Sequence, residues 1–342
     1  MTATLPTATI TYGGDDHGLI CGYRFRPGLP AVAIDSAVEA LALIGAPSAG
    51  FLWLHFNLSH AGAEAWLRAH SGLDESFFEE LHGGSRSTRI ERDGDALFGV
   101  MNDVVFDFAF DAGDVATLWL NVGPTLFISA RRHPLRSVDR LRMAVRKGAA
   151  PASTVALLDH LLRDQADELQ RIVRQVVDRT DVMEDDLLAG RHERHVSELP
   201  RLRRLMVRLQ RLLAPEPSAL MRMLANPPKW VGAADIAELQ GATEEFALVL
   251  RDIAAVQERL KLMQDESAAR MAEDNNRTLF TLTVVTVLAL PINLVSGMFG
   301  MNVGGLPLLE NPHGFWIMAA IIATLTGVIA WIVGRRIGKR RG

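Results

Sequence analysis

Asn276, Thr283, Thr286 and Asn293 lie inside or just before a long apolar run near the C-terminus, spaced by 7, 3 and 7 residues. That spacing keeps them on one face of an α-helix, together with Leu279, Leu290 and Gly297. An amide turned toward lipid is costly, so these side chains face protein or water. A stripe of neutral amide and hydroxyl oxygens suits a passing hydrated cation, because conduction needs binding weak enough to release the ion. The competing reading is that Asn and Thr bond one helix to another. The same stripe, extended toward the N-terminus in steps of three and four, reaches Ala272, Ala269, Asp265, Leu262 and Glu258. In a ring of such helices Asp265 and Glu258 supply one acid each per subunit, an anionic collar that concentrates cations at an inner mouth. On a solitary helix the same two acids are a solvated face.

Other ligand-type residues are scattered. His192 and His195 stand three apart in His192-Glu193-Arg194-His195 and could share an ion on a helix. They come after Gly190 and have arginines beside them, which reads first as a solvated turn. The segment Gly13-Gly14-Asp15-Asp16-His17-Gly18 reads first as a hairpin turn. His313 lies in the loop between the two apolar runs. The one cysteine, Cys21, excludes an intramolecular disulfide framework and a Cys-rich zinc site. The stretch Gly45 to Gly50 lacks the Gly-Lys-Ser/Thr of a phosphate loop, and no Gly-x-Ser-x-Gly elbow is present. No catalytic constellation emerges, so the expectation is a non-enzyme with no cofactor beyond a transported ion.

Two apolar runs must position the stripe. Leu279 to Phe299 and Phe315 to Val333 contain no charged residue, and each is close to the ~20 residues that cross a bilayer core. Arg335, Arg336, Lys339, Arg340 and Arg341 come after the second run, Arg270 and Arg277 precede the first, and the loop 300–314 has no Lys or Arg. The positive-inside rule places both termini in the cytoplasm. Trp316 and Trp331 read as interfacial anchors of an outer, lipid-facing second span. A two-helix hairpin has no interior for the polar stripe, so several copies of the first span are expected to surround a shared axis. Pro291 should kink or loosen that span.

The predicted organisation is an α+β membrane protein. Residues 1–150 form a cytoplasmic α/β domain, and 151–234 a helical hairpin and connection. Residues 235–299 form a stalk helix continuing into the first span. Residues 300–314 are an extracytoplasmic loop, 315–334 the second span, and 335–342 a basic tail. A helix of ~65 residues at 1.5 Å each would be close to 100 Å long. Strand candidates are Ala8–Tyr12, Ile20–Phe25, Phe51–Phe56, Ala96–Phe106, Val115–Val122 and Thr125–Ala130. Helical stretches are Ser36–Leu43, Ala61–Ala69, Leu73–Leu81, Pro134–Lys147 with proline in its first turn, Thr154–Leu188, and about Val196 to Leu213. Pro215, Pro217, Pro227 and Pro228 then punctuate the chain. The chain has 342 residues, 49% hydrophobic and 22% charged, with net charge -4, which gives no reason to expect nucleic acid. Its first residues lack the pattern of a signal peptide.

Gly300-Met301-Asn302, directly after the first apolar run and before the second, resembles the signature of the CorA superfamily of metal-ion transporters. The continuation Val303-Gly304-Gly305-Leu306-Pro307 is more similar to its ZntB zinc-transporter branch. Trp53-Leu54-His55-Phe56-Asn57, Arg86-Ser87-Thr88-Arg89 and the stretch Asp181 to Leu188 resemble that branch too. The resemblance implies a homopentameric funnel in a bacterial-type inner membrane, with the first span lining the pore. It implies that Gly300, Met301 and Asn302 form the outer entrance, where Asn302 carbonyls meet a hydrated ion. Asn293 and Asn276 match pore-facing polar positions, and Asp265 matches an acidic ring at the inner mouth. Phe299 replaces the tyrosine of the magnesium branch, and the acid expected after the loop proline is missing, with Glu310 nearest; both weigh against magnesium. The branch implies proton-coupled uptake, yet the first span has no carboxylate or histidine to carry the proton. The expected cargo is therefore zinc, with magnesium, cobalt or nickel as the alternative. A membrane-anchored cytosolic sensor is the alternative of another class.

Overall fold

Period-two burial organises the N-terminal half of the chain. The computed structural model describes residues 15–45, 50–83, 88–191, 197–300 and 311–338. The chain divides into two compact units, Met1–Gln264 and Asp265–Gly342. In the first, strands β1 (Leu19–Arg26), β2 (Leu29–Ile34), β3 (Phe51–Asn57), β4 (Arg89–Asp93), β5 (Ala96–Val104), β6 (Val115–Val122) and β7 (Leu126–Arg131) form a seven-stranded sheet in the order β2-β1-β3-β7-β6-β5-β4. β3 and β7 pair parallel, and the other neighbours pair antiparallel.

The central strands are almost continuously apolar because both faces are covered. Along β3, Phe51 and Trp53 enter one core with Leu118, Leu120 and Phe127. Their neighbours Leu52, Leu54 and Phe56 enter the other. Helices α1 (Ala37–Leu43), α2 (Ala61–His70) and α3 (Glu75–Gly83) cover the second face, through Ala37, Trp66, Leu67, Phe77 and Phe78. Helices α4 (Arg136–Arg146), α5 (Thr154–Leu188) and α7 (Pro215–Ala225) cover the first, with Leu141, Leu158 and Leu220. Gly50, at φ +125, permits the close crossing into β3: a Cβ there would stand 1.9 Å from the Phe25 carbonyl oxygen.

A second layer is mainly helical, with Val104 of β5 and Val115 of β6 at its edge. Ile172, Val176 and Met183 of α5 pack with Leu202, Leu205 and Leu209 of α6 (Glu198–Leu213) and with Phe246, Ile253 and Leu260 of α8 (Ala233–Phe299). Each set recurs at spacings of three, four or seven residues, as an amphipathic helix requires. Gly190, at φ +77, comes after α5 at the expected break. Arg259 ties α8 back to Asp181 and Glu184 of α5.

Four elements depart from the sequence expectation. Strand β2 carries Pro30, and β4 reads Arg-Ile-Glu-Arg-Asp; both lie at sheet edges, where proline and charge are tolerated. Pro215 and Pro217, expected to interrupt the chain, instead start α7, with Pro215 at its first position, where the missing N–H costs nothing; Pro227 and Pro228 do separate α7 from α8. Helix α4 begins at Arg136, not at Pro134. Leu135 bridges to Val105, and the Asp103 carboxylate accepts from the Ser137 N–H at 3.0 Å, taking up an amide at the helix start. The strand expected at Ala8–Tyr12 lies outside the described residues.

The second unit holds the end of α8 and helix α9 (Gly314–Gly338). α8 continues through Pro291, and Gly300 donates to the Ser296 carbonyl at 2.9 Å where it ends. Leu282, Leu290, Leu294, Phe315, Trp316 and Trp331 are exposed, which in water would be an untenable apolar surface.

Candidate cation pathway

Within the second unit, one side of α8 is committed to α9. Val284, Leu288, Pro291, Val295 and Phe299 are half-buried at a spacing of four, three, four and four. Ile292, Val295 and Phe299 line a groove of about 630 Å³ with Met318 and Ile322 of α9. At about 100° of rotation per residue, the predicted stripe falls on the opposite side. Asn276, Leu279, Thr283, Thr286, Leu290, Asn293 and Gly297 are all exposed in the single chain. A Cβ added at Gly297 would meet nothing.

The stripe's polar groups are not equivalent. Thr283 donates its hydroxyl hydrogen to the Leu279 carbonyl at 2.8 Å, and Thr286 to that of Leu282 at 2.9 Å. Such bonds to the preceding turn satisfy a hydroxyl donor without any partner helix. Asn276 and Asn293 therefore carry more of the argument than the threonines. Pro291 has no N–H, so the Val287 carbonyl lacks its usual helical donor. Within the first unit, Glu258 is exposed and paired with Lys261 at 3.2 Å, an i,i+3 contact of small energetic weight. Asp265 is exposed in the second unit. Trp331 at the far end of α9 lies under the Arg335 guanidinium, 4.9 Å from ring centroid to carbon, a pairing suited to a membrane interface.

Met301 and Asn302 lie outside the described residues, as do His192 and His195. Among the described residues no group of three or more His, Cys, Asp or Glu gathers as a metal shell. Asp15 of the Gly-Asp-Asp-His turn is a structural anchor: its carboxylate accepts from the N–H groups of His17, Leu19 and Ala37. Burial pushes that carboxyl up, but the three backbone bonds outweigh it and hold it below the ordinary value.

The motif-bearing segments of the first unit are structural. His55 is buried, with Nδ1 2.8 Å from Ser129 Oγ and Nε2 accepting from Arg131 at 3.0 Å. Burial, then the Arg131 and Arg142 charges, hold its imidazole well below the ordinary range, so it is neutral. Thr88 donates to the Leu212 carbonyl, and Arg89 pairs with Glu80.

Sequence reasoning missed one buried acid pair. Burial pushes the Asp103 carboxyl up to about 6, against bonds from Ser137 and the Val104 N–H. Glu216 is held well above the usual carboxyl range by burial and then by the Asp103 charge, against a bond from Gln165. The two acids are 113 residues apart in the chain (216 − 103), on β5 and α7, and no spacing rule joins them.

Two apolar helices, a polar stripe and a GMN triplet after the first define a membrane cation transporter architecture. The chain belongs to the CorA-like Mg2+ transporter family, whose family model matches residues 48–340. That makes it a membrane protein of a family of transporters, not of enzymes. It is 27% identical over 326 residues to the divalent cation transporter CmaX of Pseudomonas aeruginosa, covering 94% of this chain and 97% of that one. It is 24% identical over 279 residues to the zinc transport protein ZntB of Yersinia enterocolitica, covering 82% and 85%. The solved structure of full-length CmaX superposes with a TM-score of 0.76 at 25% identity, over 94% of this chain and 98% of that one.

Proposed function

We propose that this chain assembles as a homopentamer and passes divalent cations, zinc foremost, along an axis lined by Asn276, Leu279, Thr283, Thr286, Leu290, Asn293 and Gly297. The observation that carries this reading is the placement of the stripe: it lies on the side of α8 turned away from α9 and is exposed in one chain. Copies of α8 around a centre would give its amides a wet, shared surface without uncovering the α9 contact. Gly300, Met301 and Asn302 form the outer entrance, and Asn302 meets the ion in its hydration shell. Glu258 and Asp265 draw cations toward the inner mouth. The termini are cytoplasmic and the membrane is a bacterial inner membrane, with residues 1–150 and 151–234 forming the cytoplasmic body.

Zinc is favoured by the loop Val303–Pro307 and by the name of the ZntB relatives. The family's own description favours a second reading, magnesium with cobalt or nickel as surrogates. Carbonyl and amide oxygens alone suit hard cations as well as zinc. The deciding experiment is flux into liposomes containing purified protein, with zinc, magnesium, cobalt and nickel each offered alone and in competition, with and without a proton gradient. Zinc flux that exceeds the others, and that falls at least tenfold in Asn302→Ala with oligomer size intact, is expected. Undiminished flux in Asn302→Ala removes the entrance assignment, and magnesium outcompeting zinc selects the second reading.

A further inference from the structure

Helix α6 carries a face that the transport reading leaves without a role. Arg203, Arg204, Arg208 and Arg211 occupy the i, i+1, i+5, i+8 positions of one helical side and line a single cavity of about 450 Å³ with Val207 and Gln264. Elsewhere in this unit, arginines are commonly held by acids, as Arg136 and Arg140 are by Glu168, Asp164 and Asp167. Among the described residues none of the four has a carboxylate within 4.0 Å. Arg203 donates to Gln264 Oε1 at 2.7 Å, a neutral partner that orients the guanidinium without cancelling its charge. The Arg208 Nε is closed off from solvent and has no hydrogen-bond partner.

Four cations on one short face repel each other, and a shielded guanidinium N–H without an acceptor is costly. Nothing in the lining offsets either cost: no acid among the described residues faces the cavity. A chain whose net charge is -4 does not carry this concentration of positive charge by composition alone. Guanidinium groups bind phosphate oxygens in a two-pronged geometry that ammonium groups do not match. Neighbours at i and i+4 lie about 5–6 Å apart, so one isolated phosphate reaches two of them at most. Linked phosphates reach all four.

We propose that the α6 cavity is a binding site for clustered phosphates, carried either by a soluble polyphosphate or by a polyphosphorylated lipid headgroup. The shared chemistry is several phosphate groups within about 12 Å, the length of eight helical residues. The site is independent of the cation axis and stands or falls separately from it.

The test uses the full-length protein in nanodiscs of phosphatidylcholine. Calorimetric titration with sodium tripolyphosphate, ATP and orthophosphate is compared with nanodiscs doped with phosphatidylinositol bisphosphate. Tripolyphosphate or ATP should bind at least tenfold more tightly than orthophosphate. Arg204→Gln/Arg208→Gln should weaken that binding at least tenfold, while Arg222→Gln on α7 leaves it unchanged. If the headgroup is the natural source, doping should block the soluble ligands in the parent protein and not in the variant. Arg204→Lys/Arg208→Lys, which keeps charge and loses the two-pronged geometry, should fall between, and it covers the case in which the Gln variant misfolds. Equal affinity for tripolyphosphate and orthophosphate, or binding that survives in a correctly assembled Gln variant, overturns the proposal.

Discussion

The two halves of α8 obey the same periodicity and place it in opposite environments. In the first half Leu239, Ala242, Phe246, Val249, Ile253, Val256, Leu260 and Met263 are buried. In the apolar half beyond Leu279, described residues are exposed or half-buried, none fully buried. The more hydrophobic stretch is the less covered one. In the first half, water drives burial and α5 and α6 complete the core. In the second half, among the described residues, α9 alone covers it, and a polar stripe is left on the uncovered side. A helix completed by its own chain is built for stability; the other stretch keeps an apolar and polar surface uncovered in one chain.

The sharpest way to break this contrast is to truncate one residue in each half. Phe246→Ala should destabilise the first unit by ~3–5 kcal/mol, since a fully buried aromatic leaves a cavity. Urea unfolding monitored by tryptophan fluorescence reads this; a loss below about 1 kcal/mol would mean that the bundle is not the stabilising element. Asn293→Leu should leave the urea midpoint unchanged but reduce cation flux in liposomes by about tenfold, the effect of ~1.4 kcal/mol on a permeation barrier. Parent-level flux in that variant would show that the stripe only joins helices.

A smaller effect tests the buried acids of the first unit. Both Asp103 and Glu216 have carboxyl groups raised above their unfolded values. A raised carboxyl favours the folded state fully below the unfolded value, and that contribution is lost as pH rises through the folded value, about 6 for Asp103. The urea midpoint should therefore decline from about pH 4 through about pH 6 as Asp103 ionises in the folded state, and continue to decline above that as Glu216 does. Glu216→Gln should flatten the decline and raise the midpoint at the alkaline end; an unchanged slope would place the pH dependence elsewhere. The smallest effect belongs to Glu258→Gln. Its exposed pair with Lys261 should contribute no more than ~0.5 kcal/mol. Flux at low ionic strength, not unfolding, is where its loss should register, as a decrease that added salt erases.

What could be read from sequence was whatever repeats along the chain. The amphipathic α5, the strands Ile20–Phe25 and Phe51–Phe56, and the stripe from Asn276 to Gly297 all announce themselves through period, and the family signature added a topology. Edge strands were harder. β2 and β4 bury little on one side, so proline and charge blur their alternation. Prolines at the start of α7 look like breakers until a helix is seen to begin there. Glu216 and Asp103 come within electrostatic reach only in the fold, with α7 packed against β4 beside β5, and the α6 arginines group around one cavity only once the fold is visible. The direction in which the polar stripe points also required the fold: period defines a face, and only the packing of α9 says which face remains.

The threonine hydroxyls on that face have a consequence for the sign of what passes. Each has given its only hydrogen to the turn before it, so only lone pairs remain to point outward. On the proposed pathway a solute would meet an electron-rich lining with few donors, apart from the amide nitrogens of Asn276 and Asn293. Chloride would find little there to replace its shell, whereas a metal ion, bare or dressed in water, would find oxygen at successive turns. On that pathway, discrimination by charge would need no ionised group between Leu279 and Phe299.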